Sequence, residues 1–146
     1  MLTPNLFDLN LFGVYILGIA NPAAGTNFTY SVPDNHRTKI ALITYTFVTD
    51  ANVAQRYHTL THVRAAAPLR ISSDQVGVSA SKTQNVMIMP GAAQLNIADS
   101  PYPLFPIIDS PCFLENDTIN SDIINIQVGD QISDVRMFLH LQIYPQ

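Results

Sequence analysis

The sequence predicts an all-β domain of the sandwich class. Three observations carry that prediction. From Val135 to Ile143 apolar residues alternate without a break: Val135, Met137, Leu139, Leu141 and Ile143, with Arg136, Phe138, His140 and Gln142 between them. A period of two over that length is a strand with one face buried. No segment of the chain sustains the i, i+3, i+4, i+7 spacing of an amphipathic helix. Strong formers of exposed helix faces are nearly missing, with two lysines (Lys39, Lys82) and one glutamate (Glu115) in 146 residues.

The strands follow in order. Residues 1–10 read as an apolar arm and residues 11–20, LFGVYILGIA, as a buried or interface strand. That run is half the length of a membrane span. No Lys or Arg precedes Arg37, so it lacks the basic flank of a secretory signal. Residues 28–32 form a short strand that ends at Pro33-Asp34-Asn35, a turn signal. Residues 37–49 are apolar on both faces, which reads as a strand covered on both sides. Residues 55–65 alternate again. Tyr57, Thr59, Thr61 and Val63 share one face; Arg56, His58, Leu60, His62 and Arg64 share the other. Short strands are expected at 69–72, 77–89 and 123–128. Four prolines from Pro101 to Pro111 read as an extended connection or a sheet edge, because proline cannot donate to a ladder. The sum is one domain, residues 21–146, behind an N-terminal arm or first strand at 1–20. Roughly eight strands in two sheets favour a jelly roll.

Composition narrows the function. Charged residues make up 12% of the chain, against an average of about 25%. Such a surface is unusual for a free monomer and points to extensive contact with other subunits. The net charge of −4 argues against nucleic acid, whose phosphates require a basic footprint. Cys112 is the single cysteine, which excludes an internal disulfide, and its apolar neighbours predict a buried small side chain.

No catalytic motif appears, and neither a cofactor nor a metal is expected. His58 and His62 would share a metal on a helix, but on a strand they stand about 13 Å apart. Asp117, Asn120 and Asp122 hold oxygen ligands in one stretch but match no Ca²⁺ loop, so a turn capped by its side chains is the simpler reading. Asp130 and Asp134 lie too far apart along the last strand for a carboxylate dyad. The two Asn-X-Thr sequons, at Asn27 and Asn116, matter only in a secreted eukaryotic chain. The scattered tyrosines, with no tryptophan, outline no carbohydrate platform. One sharper reading takes Arg56, His58, His62 and Arg64 as a cationic stripe that docks on an acidic partner.

Residues 21–56, NPAAGTNFTYSVPDNHRTKIALITYTFVTDANVAQR, carry a recurring frame: NPAAG, a short strand, VP with a turn, a hydrophobic strand, then TDA and an arginine. Together with GDQ before the last strand, this resembles a group of small all-β structural proteins of bacteriophage virions. The resemblance implies a capsid decoration (cement) protein on the outer surface of the shell, stabilising contacts between major capsid subunits. It also implies self-association, a homotrimer before a dimer, and no membrane partner. A tail, fibre or receptor-binding component is the alternative. No functional residue is carried over from that group. Asn21, Pro22, Gly25, Pro33, Asp50 and Arg56 read as structural turn residues, Gly25 in a conformation closed to other residues. Leu2, Leu6, Phe7, Leu9, Leu11 and Phe12 are the candidate inter-subunit arm.

Overall fold

The computed structural model describes residues 14–94, 97–108 and 112–143. The predicted arm contacts at Leu2, Leu6, Phe7, Leu9, Leu11 and Phe12 lie outside the described residues. Nine strands are present and no helix is found among the described residues: β1 Val14–Gly18, β2 Thr29–Ser31, β3 His36–Val48, β4 Thr59–Arg64, β5 Ala67–Ser73, β6 Thr83–Pro90, β7 Leu104–Ile107, β8 Thr118–Ser121 and β9 Gln131–Ile143. They form a five-stranded sheet, β1-β9-β3-β6-β7, and a four-stranded sheet, β2-β8-β4-β5. Every pairing is antiparallel except β6 with β7. The inner faces share one core, with Ile43, Phe47, Met137 and Leu139 from one sheet and Leu60, Ile71 and Ile119 from the other. This is a β-sandwich.

Strands β3 and β9, thirteen residues each, are the spine of the larger sheet. The expectation that β3 is covered on both sides is corrected by a bulge. The register with β9 slips between Ile40 and Leu42, so Ala41 is an extra residue on β3. Inward positions are Thr38 and Ile40 before it and Ile43, Tyr45 and Phe47 after it. One inner face with a phase change looks, in sequence, like two apolar faces. A second slip between Thr44 and Thr46 puts an extra residue on β9 near Asp134, which adopts φ 53°.

Two other expectations are also corrected. No strand spans 123–128; the strand is β8, just before it. Ile124 makes one isolated bridge with Tyr57, Asn125 takes φ 61°, and Val128 is 83% exposed. Cys112 is exposed, because the neighbouring Phe113 takes the buried position. The proline-rich stretch does contain an edge strand, β7, with Pro106 inside it.

The β4–β5 hairpin turns on Ala65 and Ala66, at φ 47° and 63°. Two successive left-handed residues define a type I′ turn, which asparagine and glycine prefer. A left-handed alanine costs about 1–2 kcal/mol. Ala65→Asn with Ala66→Gly is therefore expected to stabilise the domain by about 1–2 kcal/mol, read as a higher urea midpoint. An unchanged or lower midpoint would contradict this turn.

Candidate functional site

The predicted docking stripe does not face outward. β4 lies between β8 and β5 and turns His58, Leu60 and His62 into the core. Leu60 was the signal: it belongs to the same face and is fully buried. Arg56, just before β4, is buried completely. Its Nε and Nη2 donate to Asp130 Oδ2 and Oδ1, both at 2.9 Å, and Nη2 also donates to Asp50 Oδ1. Nη1 donates to the carbonyls of Asn52 and Ala54. Asp130 in turn accepts the backbone N–H groups of Asp50 and Gln127. A buried guanidinium is tolerable only when paired and hydrogen-bonded in this way.

The segments quoted above for their recurring frame meet at this knot. Gly25 N–H donates to the Asp130 carbonyl, and Gln131 Nε2 donates to the Pro22 carbonyl. Gly25 has φ 72°, and a Cβ there would stand 2.7 Å from Val128 Cα. Asp50, Arg56, Gly25 and Asp130 thus act together as a clamp between three loops. Their role is structural.

His58 sits in a buried polar chain. Gln84 Nε2 donates to the Ser100 carbonyl, which leaves Gln84 Oε1 to accept from His58 Nε2–H at 2.8 Å. His58 Nδ1 is then the acceptor for Tyr45 O–H, at 2.7 Å. Burial pushes the His58 pKa below its ordinary value, only partly offset by Gln84 and Asp74. A neutral imidazole satisfies both of its ring nitrogens in this arrangement.

His62 and Arg64 converge on Asp117. His62 Nε2 donates to Asp117 Oδ2 at 2.9 Å, Arg64 Nη2 to the same oxygen at 2.7 Å, and Leu114 N–H at 2.8 Å. Burial works to raise the Asp117 pKa, but the Arg64, Leu114 and His62 hydrogen bonds outweigh it and hold the group at about 2. Asp117 caps the turn before β8 as expected, but the stretch as a whole is not a turn, because Asn120 lies inside strand β8 and Asp122 just after it. Among the described residues no cluster of His, Cys, Asp or Glu is placed to hold a metal. Arg64 is the one stripe member with a half-exposed side chain, and it too is paired. Asp130 precedes β9, fully buried, while Asp134 is exposed within it.

The feature left open is an edge. β1 carries VYILG, and Val14 (55% exposed), Tyr15 (47%), Ile16 (65%) and Leu17 (38%) are all uncovered. It was expected to be buried or at an interface; within one chain it is not buried. Its backbone is half-paired as well. Ile19 N–H donates to the Val135 carbonyl, in register with Leu17↔Met137 and Tyr15↔Leu139. Hydrogen-bonded and non-bonded pairs alternate along an antiparallel ladder. Tyr15 and Leu17 therefore bond to β9, and Val14, Ile16 and Gly18 turn their N–H and C=O groups to the other side, where no strand pairs among the described residues. The other edges are guarded. β2 has three residues, and β5 contains Pro68 and Arg70. β7 contains Pro106, and Ile108 N–H donates across to the Ile71 carbonyl after β5 turns inward. Short length, proline and charge are the usual protections of an edge, and β1 has none of them.

No helix among the described residues is long and apolar enough to cross a membrane. Searches of family models, curated proteins and solved structures return no match to this chain.

Proposed function

We propose that this chain is a structural docking module, a bacteriophage capsid decoration protein that binds the outer surface of the shell and stabilises contacts between major capsid subunits. The observation that carries the proposal is β1, an uncharged apolar strand at the end of its sheet, with no strand among the described residues paired to its outer side. An extended segment of a major capsid subunit completes this edge as an added strand. Main-chain hydrogen bonds supply affinity, and the pockets around alternate side chains supply register. Self-association, as the expected homotrimer or as a dimer, multiplies a modest interface through effective concentration. The strand order supports the same reading. β1-β9-β3-β6 opposite β2-β8-β4-β5 is the order that a jelly roll's eight strands follow, with β7 added at one edge. Jelly rolls recur in viral shells. The low charge and the resemblance over residues 21–56 point the same way.

The test is quantitative mass spectrometry of purified virions of the encoding phage, with wild-type protein and with Ile16→Pro. Proline at 16 removes an N–H that faces outward and leaves the β9 ladder intact. Wild-type copy number is expected to be comparable to that of the major capsid protein. The variant should be lost from particles while keeping its urea midpoint. A handful of copies per particle would refute decoration in favour of a tail or fibre component. Undiminished occupancy of the variant would refute β1 as the docking edge.

A further inference from the structure

We infer that a groove on the outer face of the five-stranded sheet binds a carbohydrate. The inference does not depend on β1 or on the virion reading. The groove runs across β9, β3 and β6, with a volume of about 260 Å³. That lies just below the range of small-molecule pockets and suits a single sugar ring in a shallow site.

Its walls follow from the register. Arg136, Thr44 and Met87 lie side by side in one row across three strands. The next row on the same face holds Thr46 and Asn85. Asn85 N–H donates to the Pro101 carbonyl and Met87 N–H to the Pro103 carbonyl, so 101–103 runs alongside β6. Tyr102 between them lines the groove and is 62% exposed. At the opposite wall, the β9 bulge brings in Asp134. It is held in the left-handed region at φ 53° by its N–H bond to Asn21 Oδ1, at 3.0 Å. Bulges commonly re-aim a side chain in this manner.

The chemistry of the walls selects the ligand class. The salt bridges among the described residues involve Arg56, His62 and Arg64, so Asp134 and Arg136, which both line the groove, are in none of them. Thr46 Oγ1 donates to Asn85 Oδ1, which leaves the Asn85 Nδ2 donors for a ligand. The groove therefore offers a carboxylate acceptor, a guanidinium fork, an amide donor and an aromatic face. A phosphate would meet the Asp134 charge, and a simple cation the Arg136 charge. An apolar molecule would desolvate both. A sugar has hydroxyls that donate and accept and a C–H face for the Tyr102 ring. Charge-assisted bonds to its hydroxyls are the strong ones.

The experiment is titration of the ¹⁵N-labelled protein with glucose, galactose, mannose, rhamnose and N-acetylglucosamine, with glycine as a zwitterionic control. Saturable shifts are expected for at least one sugar at the Asn85 side-chain amide and at the Tyr102 and Arg136 backbone amides. Asp134→Asn, which retains the backbone preference, and Tyr102→Ala should each weaken binding by about tenfold, with the rest of the spectrum unchanged. Ile16→Pro should leave it unaltered. Absence of shifts with all of these sugars, shifts with glycine alone, or wild-type affinity in both variants would overturn the inference.

Discussion

Arg56→Met is expected to destabilise the domain by about 3–5 kcal/mol, the usual cost of removing one partner from a buried ion pair. Methionine fills much of the space but leaves Asp130, itself fully buried, with no cation. The Ala54 carbonyl loses its donor at the same time, and the Asn52 carbonyl keeps only the Ala54 N–H. A domain of this size has about 5–15 kcal/mol of stability in total, so the variant should sit near the edge of folding. Urea unfolding followed by circular dichroism would read this as a collapse of the midpoint. Adding Asp130→Asn should recover only part of the loss. Its carboxylate also receives the Asp50 and Gln127 N–H groups, which an amide oxygen serves less well. Arg70→Met is the control. On an exposed position of edge strand β5 it should cost no more than about 0.5 kcal/mol. A midpoint for Arg56→Met within the range of such a surface change would refute the clamp.

Asp117→Asn is expected to cost about 2–3 kcal/mol at neutral pH and to change how the protein responds to acid. The carboxylate serves His62, Arg64 and the Leu114 N–H together. Its pKa falls from the usual 3.8 to about 2 on folding. The unfolded chain therefore takes up the proton first. The Asp117 contribution is complete above 3.8 and is lost as pH falls through about 2. His58 adds a separate limb. Its folded pKa is depressed by burial, so stability falls as pH drops below its ordinary 6.5. Stability measured against pH should show both limbs in the wild type. In Asp117→Asn the lower limb should flatten while the upper one persists. An unchanged lower limb would remove Asp117 as its cause.

What could be read in advance depended on the range of the signal. Alternation along β9 and the turn at Pro33-Asp34 are local, and both were legible. Gly25 was legible as well, since its left-handed backbone follows from residue type and position. The stripe was misread because a strand's period says which residues share a face and not which face is inside. Arg56, His58 and His62 on one face look like a cationic surface until their partners are known. Those partners are distant in sequence: Asp130 lies 74 residues from Arg56 and Asp117 lies 55 from His62. The Ala65–Ala66 turn escaped notice because neither residue prefers its conformation; the pairing of β4 with β5 imposes it. The groove of Tyr102, Asp134 and Arg136 required a bulge that no local pattern announces.

The sequence by itself determined the all-β class, the long strands and the proline edge, because hydrophobic period and backbone preference act over a few residues. Only the tertiary structure decided which charges are interior, which edge is left open and where the bulges fall. Those depend on strand pairing across the whole chain, where a slip of one residue exchanges the inside of a sheet for the outside.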